Sequence, residues 1–170
     1  MKTIRNEANE VRIFGLNVKS TTQAIIWAAL VGGTLDAAAG VVIYFIYFGM
    51  NPLQVLQLIA SGVFGPSVIN GSFVYVLAGL VLHYFIAFVV AAIYFTAASK
   101  IKLLVNQKIV VGLVYGLGIW LVMNLLVLPN SNTPKNPFNP SLAALEIIWH
   151  VVLVGLPIAL VIAKHFESKK

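Results

Sequence analysis

Glu146 and His150 stand one helical turn apart in "LEIIWHVV", Leu145 to Val152, a run otherwise suited to hydrocarbon. Asp36, His83 and Asn124 interrupt other apolar runs in the same way. A carboxylate beside an imidazole can hold, pass or release a proton, and histidine as a residue type changes charge between about pH 5 and 8. Two of the chain's five acidic residues, Asp36 and Glu146, belong to this group. A charge at the centre of a bilayer costs about 2.5–3.5 kcal/mol on insertion scales, so such residues turn toward the interior of a helix bundle. The competing role is structural. Hydrogen bonds between membrane helices average only about 0.6 kcal/mol, yet they fix which faces meet.

Helices must carry these groups, and four apolar segments supply them: residues 24–48, 73–98, 109–129 and 142–163. Each is near or above the roughly 20 residues that cross about 30 Å of hydrocarbon. Hydrophobic residues make up 60% of the 170, charged residues only 9%, and the mean hydropathy is +0.95. Soluble domains carry about 25% charge, so a soluble helical core is excluded by composition. The fold expected is all-α, a polytopic bundle of four transmembrane helices forming a single domain over 1–170.

Glycines and alanines recur beside the polar groups. Gly32, Asp36 and Gly40 make one stripe, and Gly79, His83, Ala87 and Ala91 a second. Gly112, Gly116, Trp120 and Asn124 make a third. Small residues at this spacing let backbones approach closely. The polar groups therefore lie on the faces that pack, and all five are expected to converge in the outer half of the bundle.

Ten of the eleven Lys and Arg residues fall before the first segment, between the second and third, or after the fourth, and only Lys135 lies in an outer loop. The positive-inside rule then puts both termini in the cytoplasm. Topology accounts for these cations, so no nucleic-acid partner is implied. They also suit attraction to anionic lipid head groups. Residues 1–23 are a mixed-charge arm without the apolar core of a signal peptide. Within it Val11, Phe14 and Val18 are spaced for one helical face along the inner leaflet.

The first outer loop, residues 49–72, is uncharged and half apolar. Asn51-Pro52 is a helix start and Gly65-Pro66 a stop. The helix between them is too short to span, which makes it an amphipathic or re-entrant helix on the outer face. Gln54, Gln57 and Ser61 share one of its sides and form a candidate lid over the polar group. The second outer loop, "PNSNTPKNPFNPS", holds four of the seven prolines and four asparagines, a turn-rich cap or strap.

Three function classes remain open. One is a small transporter, channel or proton-responsive protein using the carboxylate–histidine group. The second is a structural or accessory subunit, alone, self-associated or within a larger membrane complex. The third is an electron carrier in which His83 and His150 ligate one b-type haem. The third is disfavoured, because Glu146 one turn from His150 favours a hydrogen-bonded or charged imidazole. No cofactor and no metal are expected, the weaker alternatives being a metal at His83 and His150 or a metalloenzyme using His83, His150, Glu146 and Asp36. No cysteine exists to supply thiolate ligands. No nucleophile constellation or phosphate loop is visible, so an enzyme is not expected.

"SGVFGPSVINGS", "LAGLVLHYFIAFVVAAIYFTAASK", "VGLVYGLGIWLVMNLLVLP" and "LEIIWHVVLVGLPIALV" together resemble a group of small bacterial inner-membrane proteins and, more distantly, the YagU family. That pattern has a histidine followed by an aromatic and small-residue helix, and a late Glu-x-x-x-His before the final span. His83, Glu146 and His150 match it, and the resemblance covers about Leu30 to Val161. The first outer loop is shorter here than in YagU proper. The resemblance implies a bacterial inner membrane and an association with acid stress.

Overall fold

A computed structural model of the protein describes residues 12–13, 16–17 and 20–167. Four of its helices are long and apolar enough to cross a membrane: α1, Thr21–Phe48; α3, Phe73–Lys100; α5, Lys108–Asn130; and α6, Pro140–Glu167. Two short helices lie between them, α2 at Pro52–Phe64 and α4 at Lys102–Asn106. Each long helix reaches at least one residue beyond the apolar segment that marks it at one or both ends, because capping extends helices into polar sequence. Ser20 caps α1 in a reciprocal box with Gln23, and Asn139 caps α6 by accepting from Ser141 and Leu142. Apart from these helices, Arg12–Ile13 pairs antiparallel with Leu16–Asn17. Val11, Phe14 and Val18 of the anticipated amphipathic arm lie outside the described residues.

The helix between α1 and α3 begins and ends where its sequence signals stand. Asn51 and Gln54 form a capping box, Pro52 takes the first turn, and Gly65 closes the helix at φ +85°. It packs against α3. A Cβ on Gly79 would collide with the Leu56 backbone, so only glycine lets the two helices come this close.

α6 runs through the middle, packing against α1, α5 and, toward its C-terminus, α3. The best-packed region is an alanine-rich core near that end. There Ala24, Ala28, Ala91, Ile158, Ala159, Ile162 and Ala163 are all fully enclosed. Large apolar side chains such as Val42, Phe45, Val81, Phe85, Val114 and Leu125 cover the outside of the bundle instead. An apolar exterior over four such helices is what lipid solvates.

Two helices carry wide turns. In α5 the stretch Met123–Val127 is π-helical, with the Leu128 amide bonded five residues back to Met123. In α6 the stretch His150–Gly155 is likewise π-helical, with Leu156 bonded to Val151. Each lies just ahead of a proline, Pro129 or Pro157. Proline has no amide hydrogen and clashes with the carbonyl four residues before it, and a π turn absorbs that strain without breaking the helix.

Candidate functional site

Where α1 meets α6, Asp36 Oδ1 accepts a hydrogen bond from the indole Nε1 of Trp149 at 2.9 Å. The same oxygen lies 3.8 Å from His150 Nε2. His150 is held from behind, its Nδ1 2.7 Å from the Glu146 carbonyl, and its ring stacks on Trp149 at 5.3 Å. Since a carbonyl only accepts, His150 Nδ1 carries a hydrogen and donates it. Neutral His150 then turns the Nε2 lone pair toward Asp36. Two acceptors face each other unless a proton sits on one of them. The site is not sealed: the side chains of His150 and Asp36 are 12% and 27% exposed.

The Glu146 side chain makes a second group one turn away on α6. Its Oε1 accepts from the Tyr44 hydroxyl of α1 at 3.4 Å, and its Oε2 from Trp120 Nε1 of α5 at 3.1 Å. Glu146 thus bridges α1 and α5 across the face of α6. Its link to His150 runs through its backbone carbonyl. The wide turn in α6 begins at His150 itself, and the His150 carbonyl lies against Gly116 of α5, where a Cβ would collide with it.

The anticipated convergence of all five polar groups is not what forms. Among the described residues no three His, Asp or Glu side chains come near enough together to hold a metal ion. His83 is buried in the α1–α3 seam, with Nε2 2.7 Å from the Gly33 carbonyl. The imidazole thus bonds the α1 main chain. Asn124 turns back on its own helix and donates to the Trp120 carbonyl at 3.1 Å. It lies in the wide turn that precedes Pro129, where main-chain carbonyls are left without their usual partners.

The residues anticipated as a lid also do other work. Gln57 donates to the Gly71 carbonyl and accepts from the Asn70 amide, both at 2.9 Å, while Gln54 donates to Asn70 Oδ1 at 2.6 Å. Ser61 returns its hydroxyl to the Leu58 carbonyl at 2.6 Å. These groups fasten the connection from α2 to α3, where Asn70 holds φ +65°. The Pro-rich connection is also ordered. Asn132 bonds the Gly62 and Val63 carbonyls, and Lys135 bonds the carbonyls of Leu128 and Ser131 at the end of α5.

Three donors were hidden from sequence reading. Trp149, Trp120 and Tyr44 look like core or interface aromatics until their polar atoms are seen to meet carboxylates. A weak signal existed, since buried Trp and Tyr need partners and Trp120 shares a stripe with Gly112 and Gly116. No spacing in the sequence marks His165. It is 1% exposed near the C-terminal end of α6, with Phe95 and Phe166 around it.

Fold and site define the class, a multi-pass, all-helical membrane protein with carboxylates and histidine inside its spans. No protein-family model, no curated protein and no solved structure matches the chain.

Proposed function

We propose that this chain is a small proton-responsive membrane protein of the transport type, resident in a bacterial inner membrane with both termini cytoplasmic. The observation that carries the reading is the Asp36–His150 contact. Its 3.8 Å gap lies between an oxygen already bonded to Trp149 and an imidazole nitrogen whose partner nitrogen is committed to a carbonyl. Such a pair holds one proton. With it, the pair is an imidazolium–carboxylate or a neutral acid facing a base. Without it, a carboxylate faces a lone pair inside the membrane and the two repel. Gaining the proton draws the gap toward the charge-assisted length of about 2.8 Å. Either change moves α1 against α6 at the point where the wide turn gives α6 its least regular backbone. The distribution of Lys and Arg supports the orientation.

The test is flux. The full chain in proteoliposomes with an interior pH dye should pass protons, or a small solute coupled to them, at a rate that depends on pH. Asp36→Asn keeps the shape and removes the charge, and should abolish that flux. Absence of any flux above empty liposomes, for protons and common monovalent cations alike, overturns the reading.

A structural or accessory role is the second reading, and Glu146 favours it. Both of its oxygens already have donors, from two different helices, and such a carboxylate ties α1, α5 and α6 in register. A two-histidine haem site has less support. His83 directs Nε2 at the Gly33 carbonyl and His150 faces Asp36.

A further inference from the structure

Along the exposed face of α3, away from the Asp36–His150 contact, runs an open apolar groove of about 520 Å³. Phe88, Ala92, Ile93, Thr96 and Ala97 line it and Lys100 closes one end. Ala92 and Ala97 are its smallest lining residues, and Thr96 returns its hydroxyl to the Ala92 carbonyl at 2.8 Å. This open apolar surface is long enough to lie against one extended acyl chain. From Phe88 to Lys100 the helix rises about 18 Å at 1.5 Å per residue. One leaflet of a hydrocarbon core about 30 Å thick has nearly that depth. The groove thus runs from mid-membrane to the surface.

The charge lies where a head group would. Lys100 and Lys102 are exposed, and neither makes an ion pair or hydrogen bond among the described residues. The nearby Lys108 is taken by Glu167 at 2.6 Å. Ile101 and Leu103, both about half exposed, flank these lysines as residues that enter the interface do. We infer that this groove binds one anionic glycerophospholipid, with an acyl chain laid along α3 over Ala92 and Ala97 and the phosphate at Lys100. A lysine near the membrane surface favours anionic lipid electrostatically, and the groove adds a fixed position for the chain.

Native mass spectrometry of the full chain, released from nanodiscs of equimolar phosphatidylglycerol and phosphatidylcholine, tests this. One phosphatidylglycerol should be retained in preference to phosphatidylcholine. Lys100→Gln should reduce that preference about fivefold, the weight of one cation at an anionic surface. Lys164→Gln, an exposed cation on α6 outside the groove, should leave it unchanged. Ala92→Leu adds bulk in the groove and should reduce retention of both lipids, with helical content and elution volume as its folding control. Equal retention of the two lipids by the unaltered chain overturns the inference. So does a Lys164→Gln loss as large as that of Lys100→Gln, which means diffuse charge. A change of oligomeric state in Ala92→Leu overturns it too, since a second copy of the chain then fills the groove. If Ala92→Leu does not fold, the two lysine variants decide.

Discussion

His83 and His150 sit on two helices that run the same way through the bundle, each with one ring nitrogen 2.7 Å from a main-chain carbonyl. They differ in what meets the rest of the ring. His83 is 8% exposed, its bond crosses from α3 to α1, and its ring packs edge-on to Tyr84. His150 bonds within its own helix, which aims its second nitrogen at Asp36 on α1. The first histidine ties α3 to the α1 main chain, and the second sets an imidazole nitrogen opposite a carboxylate of another helix. Histidine at membrane depth therefore says little by itself. The partner of its free nitrogen decides between glue and switch.

The seams around the two histidines differ as well, and the largest expected effect comes from that difference. On the His150 side, α5 and α6 meet backbone to backbone. A Cβ on Gly116 would collide with the His150 carbonyl, and one on Gly155 with the main chain at Gly112 and Gly116. On the His83 side, the atoms nearest a Cβ on Gly33 belong to side chains, Ala87 at 3.0 Å and Tyr84 at 3.3 Å. Gly116→Val should therefore lower stability by about 1–3 kcal/mol or more, and Gly33→Ala by less. Thermal unfolding in detergent measures both, and equal losses would erase the contrast.

Next in size is the separation of the two histidines by function. Asp36→Asn and His150→Ala should each abolish pH-dependent flux while the protein still elutes as a folded species. His83→Gln should keep the flux and its pH dependence. Loss of flux in His83→Gln at unchanged stability would move His83 into the proton pathway and break the comparison.

A smaller effect belongs to the seam bond itself. His83→Leu removes the donor to the Gly33 carbonyl, which should cost about 1 kcal/mol and lower the unfolding midpoint by about 2–4 °C. Trp120→Phe removes one of the two donors to Glu146. Its loss should be near the membrane average of about 0.6 kcal/mol, because Tyr44 keeps its bond. Asn124→Leu should fall within about 0.5 kcal/mol of the unaltered protein, since its bond stays on one helix. A larger loss there would mean that Asn124 reaches another helix.

Much of the architecture was legible because its signals are local. Membrane spans follow from runs of apolar side chains, and α2 follows from Asn51-Pro52 and Gly65-Pro66, whose effects act within a turn or two. The wide turns were not anticipated, although each precedes a proline, Pro129 or Pro157, that must displace a carbonyl before it. Glycine spacing indicated which faces pack but not against what. Gly79 meets α2 and Gly116 meets α6, while Gly40 has open space beside it although it shares a stripe with Gly32 and Asp36.

The membrane class, the four spans and the short helix between the first two were thus determined by sequence alone. Each depends on residue type and on neighbours a few positions away. Only the tertiary structure decided how the polar groups divide. Asp36 went to Trp149 and His150, Glu146 to Tyr44 and Trp120, and His83 to a carbonyl of α1. Hydropathy and periodicity place a side chain on a face and at a depth. They leave open the rotation of one helix against another, which the contacts of Gly79, Gly112, Gly116 and Gly155 set across the bundle. A hydrogen bond of about 3 Å depends on that rotation.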